Sequence, residues 1–190
     1  MKPGALALII LFLAAAAVPS SSAPDAPAPK AKVAKEKQLV LDWLSRPDAV
    51  ERFGRISDAI WDYAELGLQE FRSSKLLADT LEQAGFKVER GLAGMPTCFV
   101  ATYGSGKPVI GLLGEFDALP MLSQKAGVPK KDPLVEGAPG HGCGYNTMGT
   151  AAAAAAIATA LTLAGVRTRS SGSSVSGRPI PYPARRPARP

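Results

Sequence analysis

The sequence predicts an α/β fold, and three observations carry that expectation. Two segments with apolar residues at three- and four-residue spacing precede a group of short strand-like runs. One of those runs, Val109-Ile110-Gly111-Leu112-Leu113, is apolar on both faces, the pattern of an interior strand covered by helices on either side. A long alanine-rich segment then follows a stretch dense in glycine, proline and polar groups, so helical patterns flank the strands in chain order.

The elements follow in order. Lys2, the fourteen apolar residues 5–18, Pro19 and the small residues 20–23 form the three regions of a secretory signal peptide, expected over 1–23. Fourteen residues fall short of the about 20 that a membrane-spanning helix needs, so export to the periplasm or medium is expected, with no stable span after cleavage. Residues 24–37 are rich in Ala, Pro and Lys and read as a flexible linker. Leu39, Val40, Trp43 and Leu44 suit a short helix that stops before Pro47. Asp48 followed by Glu51 has the capping-box pattern, and Val50, Phe53, Ile56, Ile60 and Tyr63 extend an amphipathic helix over 48–66, ended by Gly67. A second helix is expected over 73–84, with Leu77, Leu81 and Ala84 inward and Gly85 as its cap.

Strands are expected over 86–90, 97–103 and 108–113, the last two joined by the turn Gly104-Ser105-Gly106. Residues 114–146 read as a long loop of the functional kind. A helix over 148–164 contains six consecutive alanines at 151–156 and should stop at Gly165. Residues 167–190 hold six arginines, five serines and five prolines without apolar periodicity, and are expected to be a disordered tail. The foldable domain is thus 38–166.

The formal charge of the 190-residue chain is +6, which first suggests a polyanionic partner. Its distribution argues otherwise. Residues 38–166 carry 11 basic and 14 acidic side chains, and the basic excess lies at the two ends. No nucleic-acid partner is expected. Two cysteines exclude a disulfide framework, and a single histidine, His141, excludes a site built from several imidazoles of this chain.

Two clusters carry chemistry. Glu115 and Asp117, within Gly114-Glu115-Phe116-Asp117-Ala118-Leu119-Pro120, follow the apolar strand, at the sheet edge where open α/β sheets bind ligands. Two such carboxylates suit metal-ligand support, cation binding or general-base work; a solvated loop with an Asp turn is the alternative. In His141-Gly142-Cys143-Gly144-Tyr145-Asn146, glycines around a thiol and an imidazole allow close approach to a ligand, and the following helix start favours a thiolate. Cys143 suits a metal-bound thiolate. It equally suits a small buried residue or a Cys143–His141 nucleophilic pair, with His141 otherwise holding the loop by a hydrogen bond.

These two clusters, with Ala64-Glu65-Leu66-Gly67-Leu68-Gln69-Glu70, occur in the order found in the aminoacylase and glutamate carboxypeptidase family of metal-dependent exopeptidases and amidohydrolases, which residues 40–166 resemble. The resemblance implies an incomplete N-terminal portion of a zinc-exopeptidase-like α/β/α catalytic domain. It implies hydrolysis of an amide bond by metal-activated water, with two divalent ions, zinc or manganese. The implied substrate is a small amide or dipeptide-like molecule, an N-acyl amino acid such as aminobenzoyl-glutamate. Full-length relatives carry an inserted dimerisation domain, so homodimers are implied for them.

By the same resemblance Cys143 takes a metal-ligand position and Asp117 that of the acid supporting a ligand. Glu115 stands where many relatives have a ligand histidine, and His141 and Asn146 position the loop. Tyr145 occupies the place of a second histidine ligand, and a neutral phenol with pKa near 10 replaces imidazole poorly. The family's later Glu-Glu pair and distal histidines have no counterpart in this sequence. The expectation is therefore a truncated or frame-disrupted hydrolase with an incomplete site, prone to aggregation through its uncovered sheet edge. A non-catalytic exported binding protein with a basic tail is the alternative.

Overall fold

A computed structural model describes residues 34–171. The expected signal peptide, most of the linker and the tail from residue 172 lie outside the described residues. The elements are α1 (Lys35–Leu44), α2 (Pro47–Tyr63), α3 (Phe71–Gln83), β1 (Lys87–Arg90), a one-turn 3-10 helix (Leu92–Gly94), β2 (Phe99–Thr102) and α4 (Tyr145–Ser171).

The start of α2 differs from the capping-box expectation. Pro47 opens the helix, where its missing N–H costs nothing, and Asp48 lies inside the first turn. Its carboxylate accepts from Arg46 Nε and Nη2 at 3.0 and 2.8 Å. That hydrogen bonding by the Arg46 guanidinium holds the Asp48 carboxyl below its ordinary pKa. The helix ends at Tyr63 rather than beyond it, because Ala64 takes the left-handed conformation at φ 43°. Gly67 is not the stop.

The N-terminus of α3 is served by a residue far outside the usual cap positions. The Glu65 carboxylate accepts from the backbone N–H groups of Arg72 and Ser73, both at 2.9 Å, and from Ser73 Oγ at 2.7 Å. Two of the donors that every helix start leaves unpaired are satisfied in this way. Gly85, at φ 91°, supplies the left-handed turn after α3 as expected.

The sheet has two antiparallel strands among the described residues, with Lys87 opposite Thr102 and Arg90 opposite Phe99. Helices with a small sheet agree with the α/β class at that coarse level. The third expected strand does not form. Val109, Ile110 and Leu113 are 86%, 80% and 84% exposed. Among the described residues the backbone groups of 109–113 have no hydrogen-bond partner. A strand apolar on both faces needs lateral neighbours and two covering layers, and residues 34–171 supply neither.

The core lies between the helices. Phe53, Ile56 and Ile60 of α2 meet Leu77 and Leu81 of α3, Phe86, and Ala153, Ala154, Ile157 and Ala160 of α4, with Trp43, Leu44, Phe99 and Phe116 packed around them. The small residues of α4 let it approach closely: a Cβ on Gly149 would lie 2.9 Å from both the Glu115 carbonyl oxygen and Phe116 Cβ. Tyr145–Ala164 is long and apolar enough to cross a membrane by length and composition, yet Ala153, Ala154, Ile157 and Ala160 are core residues here. The helix also passes Gly165 and runs to Ser171, into the first residues of the expected tail. A glycine inside a helix costs only about 1 kcal/mol relative to alanine, and no proline lies between Gly165 and Ser171 to enforce a stop.

Candidate functional site

Three segments distant in sequence are joined side by side by backbone hydrogen bonds. Ala118 N donates to Glu65 O at 2.7 Å, and Leu66 and Ala118 form a parallel bridge. Leu119 and Gly140 exchange two bonds of 3.0 Å each, as an antiparallel bridge. Residues 64–70, 114–120 and 139–146 therefore form one surface beside the end of α2 and the start of α4. Gly140 is required there, since a Cβ would lie 1.9 Å from the Leu122 carbonyl oxygen.

Two side chains tie the last segment to α2. His141 is 5% exposed, its Nε2 lies 3.0 Å from Ile60 O, and its ring stacks on Trp61 with centroids 6.2 Å apart. A carbonyl oxygen can only accept, so the neutral ring carries its proton on Nε2 and leaves Nδ1 as a bare acceptor. Nδ1 is buried without a hydrogen-bond partner. Burial pushes the His141 pKa below its usual value, against the opposing effects of the Ile60 carbonyl and the Asp117 charge. Asn146, also buried, donates from Nδ2 to Ser57 Oγ at 3.0 Å.

The remaining candidates gather at the start of α4. Attraction of the Tyr145 phenol proton to the Glu115 carboxylate raises the pKa of that phenol, with the Glu115 charge, Cys143, desolvation and Asp117 adding to the shift. Tyr145 is therefore a neutral proton donor near neutral pH. Cys143 is an exposed free thiol preceding α4. No hydrogen bond joins Cys143 to His141 among the described residues, so the nucleophilic-pair alternative lacks its required contact.

The acids of the first segment have structural partners that the spacing did not disclose. Glu65 serves the N-terminus of α3, and buried Glu70 accepts from Thr97 Oγ1 at 2.6 Å. Glu65 precedes its backbone donors by seven and eight residues, a separation that matches no local capping pattern.

As placed, the side chains do not fit a two-metal centre. Glu115, Asp117 and Cys143 share the neighbourhood of Tyr145, but no three His, Cys, Asp or Glu side chains among the described residues converge closely enough to hold an ion. Tyr145, at an expected ligand position, is a protonated phenol that faces a carboxylate.

No protein-family model matches the chain. Its sequence is similar to peptidases: thermostable carboxypeptidases 1 and 2 of Saccharolobus solfataricus are each 31% identical over 118 residues, covering 61% of this chain and 27% of theirs. More particularly, it is similar to one of the subunits of the p-aminobenzoyl-glutamate hydrolase of Escherichia coli strain K12, with 51% identity over 115 residues. That match covers 58% of this chain and 24% of the relative. The chain spans about a quarter of the length of these curated relatives. The resemblance to the peptidase and amidohydrolase family carried by the three motifs is shown by these relatives over that part of the chain.

Proposed function

We propose that the chain carries the N-terminal part of an α/β/α exopeptidase-type hydrolase that cleaves the amide bond of an N-acyl amino acid, with aminobenzoyl-glutamate as the first candidate substrate. The observation that carries this is the joining of the three motif segments through Leu66, Ala118, Leu119 and Gly140 into one surface that holds Glu115, Asp117, Cys143 and Tyr145. The relative at 51% identity, a hydrolase of that compound by name, supports the substrate class.

In this proposal Asp117 is the supporting acid, acting on the ring of His141 and on Tyr145. His141 and Asn146 fix the loop by their bonds to α2. Cys143 presents its exposed sulfur just before α4. Zinc or manganese is the cofactor that the family resemblance implies; the side chains present do not close around either, so no step is assigned to it. Tyr145 supplies a proton where an imidazole would supply a lone pair. The chain by itself is therefore proposed to bind metal below stoichiometry and to turn over little substrate.

Metal analysis and a glutamate-release assay on aminobenzoyl-glutamate, run on the full chain and on Tyr145→His, test this. The unaltered chain should hold little zinc, and the variant should hold more. Stoichiometric zinc in the unaltered chain would overturn the incomplete-site proposal; no gain in the variant would overturn the assignment of Tyr145 to a ligand position. Export is part of the same proposal and rests on residues 1–23; a mature N-terminus following Ser22 or Ala23 in an exported fraction would support it, and an intact Met1 there would count against it.

A further inference from the structure

The stretch between the second and third motifs closes on itself. Beyond the Leu119–Gly140 bridge, Ser123 N donates to Ala138 O at 2.9 Å, and Ser123 Oγ accepts from Val135 N at 3.1 Å. Inside that neck Lys125 N donates to Asp132 O at 2.9 Å, and the two side chains form an ion pair at 2.8 Å. Residues 123–138 thus form an Ω-loop, a compact loop with adjoining ends.

One side chain fills its middle. Half-buried Gln124 donates from Nε2 to the carbonyl oxygen of Lys130 at 2.9 Å and to those of Val128 and Lys125, both at 3.3 Å. Its Oε1 accepts from Asp132 N at 2.9 Å. Backbone groups outside helices and strands still need partners, and an amide can serve both kinds from separate atoms without carrying charge. All of these partners lie within the loop, so its closure draws on no distant part of the chain.

The neck carries this order into the third motif. The Leu122 carbonyl oxygen lies 1.9 Å from where a Cβ on Gly140 would sit, and Leu122 Cδ1 lies 2.6 Å from the same point on Gly142. The backbone on both sides of His141 is therefore packed against Leu122, and Cys143 follows at once.

We propose that Gln124 is a positioning residue: by holding the loop closed it keeps Leu122 against Gly140 and Gly142, and so fixes the place of the Cys143 thiol on the three-segment surface. That role belongs to the hydrolase reading above, which makes Cys143 a site residue, but the thiol itself reports it without substrate or metal.

Alkylation of the full chain by iodoacetamide, followed at each cysteine by mass spectrometry, and limited trypsin digestion test this. Gln124→Ala loses two bonds of 2.9 Å, so cleavage after Lys130 should quicken about tenfold as the loop opens. Cys143 should then alkylate at least about threefold faster as Leu122 leaves Gly142, whereas Cys98, half-buried before β2 and bonded there to Gly91 and Met95, should stay within about twofold. Gln124→Glu keeps the acceptor for Asp132 N but, ionised at about pH 8, faces three carbonyls without a donor, so it should match Gln124→Ala. Lys125→Ala removes only a surface ion pair and should leave both rates at the parent's values. An open loop with an unchanged Cys143 rate, a parallel rise at Cys98, a Gln124→Glu chain that behaves as the parent, or a Lys125→Ala chain that behaves as Gln124→Ala would each overturn the proposal.

Discussion

Replacing Glu65 distinguishes a scaffold role for the first motif from a chemical one. Its half-buried carboxylate receives three hydrogen bonds, two from backbone N–H groups of the first turn of α3 and one from a serine hydroxyl. Loss of an N-cap side chain costs about 1 kcal/mol, with a range of roughly 0.5–2. Here both oxygens are engaged, and Glu65→Ala also strands the buried Ser73 donors, so we expect a loss of about 2–3 kcal/mol. Glu65→Gln keeps one accepting oxygen and replaces the other with a donor that faces a donor, so its loss should be about 1–2 kcal/mol. Urea unfolding followed by circular dichroism reads the change as a lower midpoint at constant slope. The effect should also spread to the site, because the carbonyl of the same residue holds Ala118. A loss below about 0.5 kcal/mol for Glu65→Ala would refute the reasoning, since it would mean that α3 does not depend on this carboxylate.

Gly140→Ala should be among the most damaging single-methyl changes in the chain, since its Cβ would lie 1.9 Å from a backbone oxygen of Leu122; a loss of about 3 kcal/mol or more in the same urea experiment is expected. Gly149→Ala meets atoms at 2.9 Å, one of them side-chain, and should cost about 1–3 kcal/mol. Stability should fall as pH drops below 6.5: burial lowers the folded-state pKa of His141, so the unfolded chain binds the proton more tightly, and stability is fully present above 6.5 and lost from there toward the depressed folded value. His141 is the chain's sole histidine, so a His141→Gln variant should show a flatter dependence of the urea midpoint between pH 7 and 5.5; an unchanged slope would contradict the burial argument.

Local periodicity made much of this fold legible. Phe53, Ile56 and Ile60 repeat at helical spacing and are core residues of α2, and Leu77 and Leu81 do the same in α3. Element ends were less legible, because several signals competed. Pro47 took the first helical position ahead of Asp48, and Ala64 accepted a left-handed backbone three residues before the glycine that was expected to provide it. At the other end α4 continues through Gly165, where the local penalty is small. The strand at 109–113 failed for a different reason: its pattern specifies burial on both faces, and a pattern cannot supply the neighbours that would bury it.

The candidate site divides along the same line between intrinsic chemistry and distant contact. Tyr145 was readable as a poor ligand because a phenol's acidity belongs to the residue, and its Glu115 neighbour only strengthens the neutral form. Nothing local to His141 discloses its tautomer. That is set by the Ile60 carbonyl, 81 residues away, and its consequence is a buried Nδ1 lone pair without a hydrogen-bond partner. Glu65 is a parallel case, since its partners lie in a helix that starts six residues later, while its carbonyl reaches Ala118 in the second motif. Some motif residues therefore hold the three segments together, while Glu115 faces the Tyr145 phenol and Cys143 is an exposed free thiol. Activity loss on mutating a motif residue is for that reason ambiguous here unless stability is measured beside it. Glu65→Ala should lower stability first, whereas Cys143→Ala, at an exposed position, should leave the unfolding midpoint within about 0.5 kcal/mol of the parent while altering any metal or substrate binding.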